Sequence, residues 1–400
     1  MRIGLDVSQT GRLKTGCGYF ADSLARHLVT ADRSQTYLLY PTFGAGYWDA
    51  TWRTSTLRLP GEPNVERLEW PLQRLDQLEA FWLEPTADLE ARLGFPDVVH
   101  SHNFFCPTTL QRARLVYTLH DLAFAAHPEW TTDANWRTCF EGVFAASVRA
   151  DHIVAVSRAT RQQFLALFPH YPSERISVIY EASRFTGQIG QRQAPAQLGH
   201  LRAGHFWLAV GSAEPRKNLS RLLEAYARLR AAGESDDPLV IVGPRANVPD
   251  DLDRQMAALQ LDERSVQRPG YVDDVSLAWL YAHCLAFCYP SLFEGFGLPA
   301  IEAMSLGAAV LSSDTTALPE VVGDAGLLVD PTDTQAIYAG LRALATDETL
   351  RTTLRARALD RAAGFSWQAA AAQVLDVYRM LSSDYPAPAE RKTAIGAVEP

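Results

Sequence analysis

Positive charge is in short supply in this chain. Lysine and arginine together number 37 against 46 acidic residues, a formal net charge of −9. A general nucleic-acid binder needs a basic surface to meet phosphates, so that class is excluded; a local basic site for one phosphate group is not. Long uncharged apolar runs are also missing, and none approaches the ~18 residues that would cross a bilayer. The opening residues, Met1-Arg-Ile-Gly-Leu-Asp-Val7, are too short and too acidic for a secretory core and read as a first strand. Cysteine is scarce, with five thiols at positions 17, 106, 139, 284 and 288. Odd in number and scattered, they suit a reducing cytoplasm better than a disulfide framework. Cys284 and Cys288 are spaced one helical turn apart with no second ligand pair, so they read as core thiols.

Apolar residues, by contrast, are plentiful. They make up 47% of 400 residues, enough for two cores, and the length fits two α/β domains better than one. Short β-branched and aromatic runs alternate with amphipathic stretches. Strands are expected at 2–7, 37–40, 98–101, 115–119, 152–156 and 176–179, with helices at 19–29, 135–148 and 159–168. Such alternation means parallel strands with crossover helices. The tryptophan-containing segment 65–93 reads as a surface-bound helix or a mobile excursion. From 186 to 204 the apolar period gives way to Gln, Gly, Ala and Pro, a linker composition.

A second series of strands follows at 206–210, 239–242, 266–272, 285–289, 309–312 and 327–329. In the helix expected over 218–232, Leu219, Leu222, Leu223, Tyr226 and Leu229 share one face, with Asn218 as N-cap and Gly233 just past the end. The fold class is therefore α/β with two doubly wound domains. The first spans 1–185, a linker 186–204 follows, and the second spans 205–365. A last helix over 366–382 has the option of packing back on the first domain, and the Pro/Ala-rich tail 383–400 reads as disordered. Ligands of such sheets bind beyond the carboxyl ends of the strands.

Two strand-to-helix loops carry the densest chemistry. The first is Ser291-Leu-Phe-Glu294-Gly295-Phe296-Gly297-Leu298-Pro299-Ala-Ile-Glu302. Glycines ahead of a helix let backbone approach a ligand, and the free N–H groups and dipole there favour an anion. Glu294 falls in the loop and Glu302 about one turn into the helix, so the two carboxylates can bind hydroxyls on different parts of one ligand. The alternative is a tight turn with two solvated acids. The second loop is Val210-Gly-Ser-Ala-Glu214-Pro-Arg216-Lys217-Asn218. Adjacent cations at a helix start oppose the dipole preference unless they meet a phosphate; the alternative is an exposed loop in which Arg216 pairs with Glu214. Lys217 reads as an exposed loop cation.

In this order the two loops resemble the retaining glycosyltransferases of family four, whose GT-B fold is two facing Rossmann-like domains with an interdomain cleft. The E-x7-E motif matches Glu294 and Glu302, the basic donor-phosphate loop matches Glu214-Pro-Arg216-Lys217, and Ala317-Leu-Pro-Glu320-Val-Val-Gly323-Asp-Ala-Gly326-Leu-Leu-Val-Asp-Pro331 resembles the family's carboxyl-terminal pattern. The resemblance implies that Arg216 and Lys217 hold the donor diphosphate, Glu302 the ribose hydroxyls and Glu294 the transferred sugar. It further implies backbone contacts from Gly295, Phe296, Gly297 and Leu298. Many members carry Arg directly after the glycine matching Gly211; here Ser212 stands in that place.

In the first half, Gly16 and Gly18 match the family's glycine-rich loop near donor phosphates and acceptor. Taken alone, Gly16-x-Gly18-x-x-Ala21 nearly fits a dinucleotide fingerprint, but eight residues separate it from the strand and no acid follows the second strand. His120 ends the strand at 115–119, where the family has an active-site histidine; the plain alternative is a histidine bonded to Asp121. His100 and His102 read as cleft lining or packing. Asp250-Asp251 and Asp273-Asp274 sit at expected helix starts and read as caps rather than metal ligands. The resemblance agrees: it implies no metal and no cofactor beyond a nucleotide-diphosphate sugar as donor substrate.

The expected reaction moves a hexose, mannose mildly favoured, onto a glycan, lipid-linked or small-molecule acceptor hydroxyl with retention. His120, Lys217 and Glu294 are the expected catalytic residues. The expected location is cytoplasmic, with room for a peripheral contact at the inner face of a membrane. A non-catalytic nucleotide-sugar binder and a nicotinamide-dependent oxidoreductase are the alternatives.

Overall fold

The computed structural model describes residues 1–11, 14–41, 57–59, 61–68, 88–102, 105–107, 110–185, 194, 196, 199–243 and 252–383. Most of segment 65–93, the first part of the linker, Asp250-Asp251 and the tail beyond 383 lie outside the described residues. The chain forms two compact units, residues 1–181 together with the chain from Trp367, and residues 182–366.

In the first unit seven described strands form one parallel sheet. They are β1 (Arg2–Asp6), β2 (Thr36–Tyr40), β3 (Val65–Arg67), β4 (Val98–Ser101), β5 (Arg114–Leu119), β6 (His152–Ala155) and β7 (Ile176–Val178). Their order is β3-β2-β1-β4-β5-β6-β7. Every residue of β4, β5 and β6 is buried, as expected for central strands covered on both faces. Val65–Arg67, read from sequence as part of a helix or excursion, is instead an edge strand paired with β2. Three residues are too few to show an alternation of their own.

The helix Gly16–Ala31 crosses from β1 to β2, and the terminal helix Trp367–Ser383 packs against it. Trp367 meets Phe20 edge-on at 5.7 Å and stacks on His27 at 6.4 Å. Tyr378, fully buried, places its hydroxyl 2.5 Å from Nδ1 of His100. His100 and His102 are both buried, with ring centroids 4.1 Å apart, so the two rings pack on each other.

The second unit repeats the arrangement. Strands β8 (Trp207–Val210), β9 (Leu239–Val242), β10 (Val266–Gly270), β11 (Ala286–Tyr289), β12 (Val310–Ser313) and β13 (Leu327–Val329) order as β10-β9-β8-β11-β12-β13, all parallel. Helix Leu219–Ala231 buries Leu219, Leu222, Leu223, Tyr226 and Leu229, the face its sequence pattern selects. Asn218 does not cap it. Its backbone is left-handed at φ 58°, and its amide donates to the carbonyls of Pro290 and Pro331 at 2.9 and 2.7 Å. Asp273 does cap, accepting from the backbone N–H of Ser276 at the start of helix Asp274–His283.

The border between the units falls at 181/182 because the next residues bond into the second one. Ser183 meets Ser305, Arg184 pairs with Glu302, and Phe185 lies edge-on to Tyr281. Cys284 follows a helix while Cys288 lies within β11, so they share no helical turn; both are unpaired and buried.

In each sheet the order reverses at one point, between β1 and β4 and between β8 and β11. The loops that leave these strands are the places where doubly wound sheets bind ligands.

Candidate active site

In the second unit the loops after β8 and β11 meet. After β8 the backbone turns through a short 3-10 segment, Pro215–Lys217. The Arg216 carbonyl accepts from the Leu292 N–H at 2.7 Å, and with the Asn218 bond to the Pro290 carbonyl this ties the loops together. Lys217 is therefore not an exposed loop cation. It is 9% exposed, and its ammonium donates to the Tyr289 hydroxyl and to Oε1 of Glu294, both at 2.7 Å. Arg216 completes the cluster, donating from Nη1 to Glu294 Oε2 at 3.0 Å and from Nε to Glu214 at 2.7 Å. Ser212, at the position where an arginine was expected, donates to Glu214.

Burial pushes the Glu294 carboxyl up, but Lys217 and Arg216 outweigh it and hold the group below its ordinary value. Glu214 follows the same balance, with burial opposed by Arg216 and Lys217, and falls to about 2. Lys217 is drawn down by burial and by Arg216, with Glu294 and Glu214 opposing. The result is two cations and two ionised carboxylates in one cluster, with Lys217 and Glu294 buried and Arg216 and Glu214 half-buried, so the Lys217–Glu294 pair is the least screened by water.

Beyond Glu294 the chain passes Gly295 and Phe296, whose ring lies edge-on to Phe365 at 5.9 Å. It turns at Gly297 and enters helix Leu298–Ser305 with Pro299 in the first turn. Gly297 has φ 103°, and a Cβ there would stand 2.7 Å from Leu318. Gly297→Ala is expected to cost roughly 1–3 kcal/mol, read as a fall in Tm of several degrees. An unchanged Tm would mean that the turn tolerates a side chain.

Glu302 lies one turn into this helix at 3% exposure. It belongs to a different cluster from Glu294. Arg184 pairs with its Oε1, the Tyr281 hydroxyl donates to its Oε2 at 3.3 Å, and Arg184 also reaches Asp274 at 3.2 Å. The two glutamates of the motif are thus held by separate partners.

In the first unit the ends of β1, β4, β5 and β7 gather a second buried polar group. Asp6 accepts from the backbone and hydroxyl of Ser8 at 3.0 and 2.7 Å and from the His102 N–H at 3.4 Å. Burial raises its carboxyl to about 7 against these hydrogen bonds. His120 does not bond Asp121, which accepts from the Ala123 N–H instead. His120 Nε2 donates to the His102 carbonyl at 2.8 Å, and its Nδ1 faces Glu181 Oε1 at 3.5 Å.

Gly16 opens the neighbouring helix, exposed, while Gly18, two residues on in the first turn, is buried. A Cβ on Gly18 would stand 2.3 Å from the Gln9 carbonyl, so its bare backbone is needed for close packing of the turn after β1. Asp6, Glu181, Arg184, Tyr281 and Tyr289 were not legible as site residues. The available signal was a lone charged or phenolic residue at or just beyond a strand end, as at Asp6, Glu181 and Tyr289. Among the described residues no group of three or more His, Cys, Asp or Glu could hold a metal ion.

Comparison with known proteins gives the family and the fold. The profile described as Glycosyltransferase Family 4 matches residues 16–182, and Glycosyl transferases group 1 matches residues 191–361. The chain is 34% identical to the O-antigen chain mannosyltransferase B of Escherichia coli, over 92% of this chain and 96% of that one. It is 32% identical to the MMP alpha-(1->4)-mannosyltransferase of Mycolicibacterium hassiacum, over 75% and 74% of the two. Among solved structures, the sucrose-phosphate synthase of Thermosynechococcus elongatus superposes with a TM-score of 0.71 at 21% identity, over 96% and 99% of the two chains. WaaG, a glycosyltransferase involved in lipopolysaccharide biosynthesis, gives 0.68 at 16% identity over 94% and 99%. The fold is the GT-B fold of two parallel-sheet Rossmann-like domains. With one-third identity to a mannosyltransferase along nearly all of both chains, the protein belongs to the group 1 glycosyltransferases.

Proposed function

We propose that this glycosyltransferase moves mannose from a nucleotide-diphosphate donor, guanosine favoured, to a hydroxyl of a glycan or lipid-linked acceptor, with retention and without a divalent metal. The carrying observation is the Lys217–Arg216–Glu294 cluster beside the helix that starts at Leu298, at the strand-order reversal of the second sheet. Two cations next to a helix N-terminus suit a diphosphate. The names of two similar mannosyltransferases support the sugar.

In this reading Lys217 and Arg216 neutralise the diphosphate, Glu302 accepts from the ribose hydroxyls and Glu294 from the transferred sugar. The backbone of Gly295, Phe296, Gly297 and Leu298 adds contacts, and within the first unit Gly16, Gly18 and His120 are the assigned site residues. Retention in many glycosidases uses a carboxylate nucleophile, but Glu294 is engaged by two cations and Glu302 by Arg184. A same-face substitution fits better, in which the leaving phosphate oxygen takes the acceptor proton and the protein supplies position and charge. Among the described residues no helix is long and apolar enough to cross a membrane. A lipid-linked acceptor would bring the chain to a membrane face from the cytoplasmic side.

The test is transfer from guanosine diphosphate mannose to a panel of acceptors, with product configuration read by NMR, with and without excess chelator. Retention of configuration and at least half of the activity in chelator are expected. Inversion would overturn the mechanism. Complete loss restored by manganese or magnesium would overturn metal independence. Binding without turnover across the panel would favour a non-catalytic binder.

A further inference from the structure

We propose that Glu181 is a positioning residue that holds the His120 ring doubly protonated, so that His120 serves the active site as a fixed cation and not as a base. The inference rests on the reading of His120 as an active-site residue, and it deepens that reading.

Hydrogen-bond chemistry carries the argument. His120 Nε2 lies 2.8 Å from the His102 carbonyl oxygen. A carbonyl only accepts, so this nitrogen carries a proton. Nδ1 lies 3.5 Å from Oε1 of Glu181, and an ionised carboxylate also only accepts. With an acceptor facing each nitrogen, the ring fits as an imidazolium. The carboxylate is 3% and the histidine 9% exposed, so water screens the pair little.

The surrounding groups favour the same state. From the end of β4, His102 is held down to about 3 by burial, and His100 is lowered by burial too, so neither is a competing cation. From the end of β1 comes Asp6, whose own carboxyl is raised by burial. From helix Gly16–Ala31 come the Cys17 thiol and the edge-on ring of Phe20 at 5.0 Å. Asp121, next along the chain, is engaged with the Ala123 N–H. Burial alone would lower His120; Cys17 and Glu181 reverse it, and the net direction is strongly upward. A histidine raised in the fold adds stability that is whole below pH ~6.5 and drains as pH rises through the folded value.

The experiment is an NMR titration of the full chain carrying labelled histidine, with His120 assigned from His120→Gln. In the parent protein the His120 ring should remain protonated at pH 7.5. In Glu181→Gln its titration should move down by at least one pH unit, and Glu181→Asp should restore part of the shift. In parallel, the alkaline limb of the pH profile of transfer should move down by a similar amount, with activity at pH 6 less affected than at pH 8. A neutral His120 at pH 7 in the parent protein would overturn the proposal whatever the variants do. So would a His120 titration left unmoved by Glu181→Gln. The titration needs no donor or acceptor, so it stands even if the proposed sugar or reaction is wrong.

Discussion

Lys217→Ala should reduce transfer at least 100-fold and also lower the stability of the second unit. The loss of activity follows from removing one of two cations assigned to the leaving diphosphate, a change of the size seen when a single charge stabiliser is deleted. The loss of stability follows from burial. Lys217 donates to both Tyr289 and Glu294 at 2.7 Å, and removing it leaves a buried carboxylate with Arg216 as its remaining cationic partner. Breaking a buried pair from one side costs about 3–5 kcal/mol, and the remaining Arg216 contact should keep the cost near the lower end. Because both carboxyls in the cluster lie below their ordinary values, their stabilisation is whole above pH ~4.5 and is lost as pH falls through the folded values. The double variant Lys217→Met with Glu294→Gln removes both charges, so it should recover much of the Tm while remaining inactive. Thermal unfolding and transfer assays on the three proteins separate the two effects. Near-normal turnover in Lys217→Ala would sink the phosphate assignment.

The burial of Lys217 was not legible in the sequence, although the loop itself was. Glycine and proline punctuate both loops, and the apolar runs before them name β8 and β11 within a residue or two. What local pattern cannot supply is the pairing of β8 with β11, which carries residue 217 to residue 294. Asn218 failed as a cap for the same reason: its amide serves carbonyls at 290 and 331. The core face of Leu219–Ala231 was readable because helical periodicity is local. Glu181 and Arg184 were passed over because each acts on a residue far along the chain, His120 and Glu302, and because composition places the border after 185, which separates Arg184 from the unit it bonds into. The Glu294–Glu302 pair was readable because both acids sit on one loop and helix. Their different partners were not.

Those separate partners lead to the sharpest division of labour. Glu302→Ala should weaken the bare nucleoside diphosphate and the sugar nucleotide alike, by at least tenfold, because the partner assigned to it is the ribose that both ligands share. Arg184 and the Tyr281 hydroxyl hold this carboxylate from both oxygens, which fixes its orientation toward a donating ribose hydroxyl. Glu294→Ala should act differently. Its removal takes the carboxylate away from Lys217 and Arg216, leaving both cations to the diphosphate, so affinity for the bare nucleoside diphosphate should hold or increase. The sugar nucleotide should lose the contact with its hexose, and transfer should fall by about two orders of magnitude or more. Calorimetry with guanosine diphosphate and guanosine diphosphate mannose on both variants measures the four affinities. Equal losses for the two ligands in Glu294→Ala would remove the sugar from that residue. An unchanged affinity for the bare nucleotide in Glu302→Ala would remove the ribose from the other.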